Sequence, residues 1–142
     1  MNYSLSSIRW LRVLGAALAV VGLSFLILTV IIALYAFGLA FQARGAPDQA
    51  AINHFAARVS PRVMPWLEVA LTFLVAVVVG RRTGKDSAIH GLFIGILAGL
   101  LGLALPLVLS GRLGLHNLIL FLVAVGLGWF GGVVAQKTTG GT

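Results

Sequence analysis

The sequence has no cysteine and few charged residues, and both shortages restrict what the protein can do. Without cysteine, a disulfide, a thiolate nucleophile and a cysteine-based zinc site are all excluded. Charged residues make up 9% of the 142 residues, whereas a soluble domain has about a quarter. A chain that is 60% hydrophobic has too little polar surface to cover itself in water. We therefore expect lipid to surround most of it.

Acids and histidines are scarce too, at three of each. They cannot be placed as an acid–base or nucleophile–base pair by their spacing, so the sequence predicts a non-enzymatic protein. It also predicts no cofactor and no metal site. The net charge of +7 results from ten Lys and Arg residues against three acids, and the basic residues lie in short loops rather than on one helix face. This pattern favours contact with anionic membrane lipids over nucleic acid.

Four apolar runs are close to the roughly 20 residues that a helix needs to cross a bilayer. Lipid offers no partner for backbone polar groups, so each run should be helical. The predicted fold class is all-α, an integral membrane four-helix bundle in a single domain of residues 1–142. The predicted spans cover residues 8–41, 63–80, 87–109 and 117–135.

The basic residues near the span ends predict the orientation of the chain. Lys and Arg are enriched on the cytoplasmic side of membrane proteins. One side has six of them, namely Arg9, Arg12, Arg81, Arg82, Lys85 and Lys137. The other side has four, namely Arg44, Arg58, Arg62 and Arg112. We expect both termini in the cytoplasm.

The loop between spans one and two is long and contains PDQAAINHFAARVSP. Ile52, Phe55, Ala56 and Val59 have the spacing of one helix face. Asp48 suits the start of such a helix, and Pro61 predicts its end. The interpretation is a short amphipathic helix on the outer membrane surface. Docking of this helix onto a partner protein is the alternative.

Glycine is abundant, and its spacing predicts helix packing. Gly91, Gly95 and Gly99 repeat every four residues in an apolar run, and Gly102 stays close to that face. Gly128 and Gly132 repeat the spacing in the last span. Small residues in such stripes let helix backbones approach closely. We expect spans three and four to pack through them; the alternative is an interface with a protein partner or a second copy.

Glu68 is the only acid inside a predicted span, and acids in membranes are candidates for function. It follows Trp66, an aromatic residue typical of the membrane interface, so it should lie about one turn deep. An ion pair with Arg62, Arg112 or His116 from the same side is one interpretation. A proton or ion site and a partner contact are the others.

Pro106 predicts a kink in the third span. A proline inside a helix clashes with the carbonyl four residues before it, which here belongs to Gly102. The kink should lie near residues 102–106. It would serve packing, or alternatively act as a hinge for gating.

The stretches GRRTGKDSAIHGLFIGILAGLLGL and GLGWFGGVVAQ resemble a group of small bacterial four-span membrane proteins without an established activity. The likeness covers about residues 66–136. It implies the four-span topology only, and it carries no activity to transfer. The predicted location is the bacterial inner membrane.

These features predict a structural or accessory subunit of a larger membrane complex, because packing glycines are many and chemically reactive groups are few. The alternative is a small oligomeric transporter or channel that uses Glu68. A contact for a pigment or quinone is a weaker third hypothesis.

Overall fold

The computed structural model describes residues 9–110 and 114–139, without the side chains at positions 85, 105, 106, 109, 110 and 139. These residues form helices α1 (Trp10–Ala43), α2 (Gln49–Arg81), α3 (Ser87–Ser110) and α4 (Leu115–Thr139). All four are long and apolar enough to cross a membrane. The predicted all-helical chain with four apolar helices is confirmed, and it indicates a multi-pass membrane protein.

The helices alternate in direction and differ in length. At about 1.5 Å per residue, α1 and α2 are about 50 Å long, whereas α3 and α4 are about 37 Å long. The start of α1 is level with the start of α3, because the Arg9 backbone N–H donates to His90 of α3 over 3.2 Å. The extra length of α1 and α2 therefore lies at the opposite end of the bundle. We call that part, residues 34–58, the projecting hairpin.

The structure contradicts the prediction that Pro61 ends a short separate helix. Residues 49–60 are the first turns of α2, which continues through Pro61 and Pro65. The predicted apolar face exists, but it turns toward α1, where Phe55 stacks on Tyr35 with ring centroids 3.9 Å apart. A proline breaks one backbone hydrogen bond, and a helix can survive this loss where neighbouring helices support it. Packing against α1 gives that support here.

The bundle has a compact part made of α2, α3 and α4, and α1 packs outside it. The most extensive contact joins α3 and α4, followed by that between α2 and α4. Helix α1 packs on α2 and α3, and within the described residues it makes no contact with α4. Its inner face carries Val13, Ala17 and Val20, which are fully buried with Ile94 and Ala98 of α3. The described residues therefore leave one long face of α1 uncovered.

The connection between α2 and α3 is a tight turn that needs a glycine. Gly84 has a φ of +74° at the start of a 3-10 turn, Gly84–Asp86. Glycine adopts this left-handed conformation without steric cost. The turn places Ser87 and His90 at the beginning of α3, where both are buried.

Candidate functional site

The predicted glycine stripes lie where α3 and α4 touch. A methyl group built on Gly128 would lie 2.5 Å from the carbonyl oxygen of Gly91 and 2.8 Å from the Cα atom of Gly95. One on Gly95 would lie 2.6 Å from the carbonyl oxygen of Ala124. Likewise, Gly132 lies against the carbonyl of Ser87. The two backbones are therefore in direct contact at these positions.

The last two glycines of the α3 stripe face side chains instead of backbone. A methyl group on Gly99 would lie 2.7 Å from the ring of Phe121, which belongs to α4. One on Gly102 would lie 2.5 Å from Oε2 of Glu68, which belongs to α2. The stripe therefore contacts the backbone of α4 at Gly91 and Gly95, whereas at Gly99 and Gly102 it forms one wall of a cavity beside Glu68.

Two further glycines, which the spacing rule does not single out, join α2 to α4. A methyl group on Gly131 would lie 2.8 Å from the carbonyl oxygen of Phe73, and Gly80 lies against Ala135. The spacing of four residues occurs here too, but with alanine as the second small residue: Ala76 precedes Gly80 in α2, and Ala135 follows Gly131 in α4. By contrast, a methyl group built on Gly15, Gly22 or Gly126 would have open space around it, with no atom within 4 Å beyond the backbone of its own helix.

A second cluster of polar groups lies at the other end, where α3 begins. His90 is 1% exposed. Its Nδ1 lies 2.9 Å from the carbonyl oxygen of Asp86, which can only accept, so Nδ1 carries the proton. Its Nε2 accepts from the Arg9 N–H and is therefore unprotonated. His90 thus links α1 to α3 by hydrogen bonds at both ring nitrogens.

Ser87 makes a similar link between α3 and α4. Its hydroxyl donates to the carbonyl oxygen of Gly132 over 2.9 Å, and both groups are buried. A hydroxyl bonded to a neighbouring helix is a common way to join membrane helices. Together with His90, it fixes the first turn of α3 to helices on both sides.

Glu68 lies in the other half of the bundle and is half-buried. Among the described residues, its carboxylate forms no hydrogen bond or ion pair. Arg62 and His116, two of the partners considered above, are exposed. Arg112 and the side chain of Pro106 lie outside the described residues, although the backbone of α3 is helical as far as Ser110.

Next to Glu68 is a cavity of about 450 Å³ that all four helices line. Its walls are mostly apolar, with Phe25 from α1, Met64 from α2, Leu103 from α3 and Leu120 and Phe121 from α4. The polar members are Ser60, Glu68, Thr72 and Asn117. An apolar cavity with a few polar groups is the usual form of a small-molecule site.

Part of this cavity could be recognised from the sequence. Ser60, Glu68 and Thr72 share one face of α2, with Met64 at the intervening position, so this apolar helix carries three polar residues at a spacing of four or eight. The roles of Phe121 and Asn117 have no such signal, because they depend on how α4 is placed against α3. Within the part of the chain that the structure describes, no three His, Asp or Glu residues gather as a metal site would need.

Comparison with known proteins does not assign a function to this cavity. No protein-family model, no curated protein and no solved structure matches the chain.

Proposed function

We propose that the protein is a non-enzymatic accessory subunit of a larger membrane complex, and that α1 contacts its partner. The observation that carries this proposal is the uncovered face of α1. Gly15, Gly22 and Thr29 are exposed and follow one another at intervals of seven residues, so they share one side of the helix. Small residues at this spacing let a second helix approach closely.

The internal position of the predicted glycine stripes of α3 and α4 supports α1 as the contact surface. The stripes of α3 and α4 face one another within the protomer, so a partner could reach them only by separating these helices. Helix α1 contacts α2 and α3 only, and its outer face is free over its whole length within the described residues. The partner is a membrane helix, either of another protein or of a second copy.

The test is co-purification from native membranes under mild extraction. A tagged Gly22→Leu protein should lose the partner, because a leucine side chain fills the groove that the second helix would enter. A helix contact in a membrane contributes about 1–2 kcal/mol, so its loss should lower the association constant roughly tenfold. Gly126→Leu is the matched control, since Gly126 is also exposed and has open space around it.

Two results would contradict the proposal. One is a wild-type protein that elutes as a solitary monomer under mild extraction. The other is an equal loss of the partner in the Gly22→Leu and Gly126→Leu proteins, because this would show a general effect of added side-chain bulk.

The proposed location is the bacterial inner membrane, with both termini in the cytoplasm. The arrangement of exposed basic residues at one end of the bundle supports this orientation. That end carries Arg9, Arg12, Arg81, Arg82 and Lys137. The projecting hairpin then lies on the outer side, where its apolar residues Phe37 and Phe41 would meet the lipid headgroup region.

Transport by an oligomer is a second candidate function, and the cavity beside Glu68 favours it. One protomer of four helices encloses little space, so a path would need several copies. Uptake of a cation into liposomes that contain the protein would distinguish this function from the accessory role. Glu68→Gln should abolish that uptake, whereas equal uptake by empty liposomes would rule transport out.

A further inference from the structure

Among the described residues, the cavity beside Glu68 has one charged group and no partner for it. No Lys, Arg or His is among the described residues that line the cavity. The Thr72 hydroxyl, which also lines it, donates to the main-chain carbonyl of Glu68 over 2.7 Å rather than to the carboxylate. A carboxylate in an apolar site is costly unless a positive charge or hydrogen-bond donors accompany it. The site is therefore complementary to a ligand that brings a cation.

The position of Phe121 adds a second element of cation recognition. Its ring lies against Gly99, and the Glu68 carboxylate lies against Gly102, so ring and carboxylate are neighbours along one face of α3. An ammonium group is attracted both by a carboxylate and by the face of an aromatic ring. Phe25 of α1 lines the same cavity.

The rest of the cavity determines what the cation must be attached to. Met64, Leu103 and Leu120 supply apolar wall, and the volume of about 450 Å³ lies within the range of small-molecule sites. Hydrated inorganic cations would leave this wall without a contact. An apolar chain or ring joined to the ammonium group would cover it. Anions would meet only repulsion from Glu68.

We propose that this cavity binds a lipophilic monocation, with an ammonium nitrogen at Glu68 and an apolar ring or chain among Phe25, Met64 and Phe121. The ligand reaches the cavity from the membrane, where such amphipathic molecules concentrate. Binding needs neither the partner contact through α1 nor transport, so this site stands independently of both functions proposed above.

The experiment compares two probes that share a skeleton and differ in charge, 4-phenylbutylammonium and 4-phenylbutanol. The protein is placed in phosphatidylcholine nanodiscs at pH 7, and binding to empty nanodiscs is subtracted. The ammonium probe should bind wild type about tenfold more tightly than the alcohol, as expected for one charge pair shielded from water. In Glu68→Gln that preference should fall below about threefold, with binding of the alcohol unchanged.

Asp48→Asn is the matched control, because it removes another carboxylate on the same side without touching the cavity. Asp48 accepts from the Ala50 N–H at the start of α2, and asparagine keeps such a cap. This variant should bind both probes as wild type does. Ser60→Phe places a ring at the cavity wall and should weaken binding of both probes.

The proposal is overturned by equal binding of the two probes to wild type, or by an ammonium preference that survives in Glu68→Gln. Absence of any binding above empty nanodiscs overturns it too. A folded Ser60→Phe protein that binds both probes normally would place the site elsewhere. If Ser60→Phe does not fold, the comparison of wild type with Glu68→Gln decides the question.

Discussion

Replacing Gly128 with alanine is expected to separate α3 from α4 and to lower the free energy of unfolding by about 3 kcal/mol. The new methyl carbon would lie 2.5 Å from the carbonyl oxygen of Gly91 and 2.8 Å from the Cα atom of Gly95. Ordinary contacts begin near 3.4 Å, so the shortfall is about 1 Å, and packed interiors have no such space to give. Backbone atoms cannot rotate away as a side chain can. The helices must move apart, and contacts along the whole interface weaken.

The measurement is reversible unfolding in mixed micelles of mild detergent and SDS, followed by tryptophan fluorescence. Gly126→Ala is the control, since a methyl group there meets no atom within 4 Å. Its unfolding free energy should stay within about 0.5 kcal/mol of wild type. A Gly128→Ala protein as stable as the Gly126→Ala protein would show that the backbones of α3 and α4 are not in contact.

Replacing His90 with alanine is expected to lower the free energy of unfolding by about 2–4 kcal/mol. The buried ring would leave an empty space, and both of its hydrogen bonds would be lost. The Arg9 N–H would have no acceptor, and the start of α1 would detach from α3. The effect should therefore include greater protease sensitivity before residue 13.

His90→Asn separates the loss of hydrogen bonds from the loss of side-chain volume as causes of lower stability, and His116→Ala serves as the control. His90→Asn keeps a donor close to the position of Nδ1 and loses the acceptor at Nε2, so its stability should fall between wild type and His90→Ala. His116→Ala removes an exposed histidine from the first turn of α4 and should change nothing measurable. Equal stability of the His90→Ala and His116→Ala proteins would contradict the described link between α1 and α3.

The sequence was most informative where a local pattern has one physical meaning. Long apolar runs in lipid must be helical, and this predicts four helices without knowledge of their packing. Glycines four residues apart predict a bare ridge on α3, and the structure shows what lies against each one. Gly91 and Gly95 face backbone, whereas Gly99 and Gly102 face side chains. The spacing alone does not distinguish these two kinds of neighbour.

Other features depend on contacts between distant parts of the chain. The sequence predicts that Pro61 ends a helix, because the rule for proline considers only neighbours along the sequence. The stack of Phe55 on Tyr35 in α1 counters that local tendency. The link from His90 to Arg9 spans 81 positions, so no short motif reveals it. Likewise, Phe121 reaches the cavity only because glycines bring α4 close to α3.

The distribution of contacts between the helices also determines when the bundle can assemble during synthesis. A chain is synthesised from its N-terminus, so α1 and α2 are present in the membrane before α3 and α4, which pack most tightly against each other. The most extensive contact joins α3 and α4, which are synthesised after α1 and α2. Until α4 emerges from the ribosome, the glycine ridge of α3 and the cavity beside Glu68 lack one wall. The compact part can therefore be completed only after α4 has been translated.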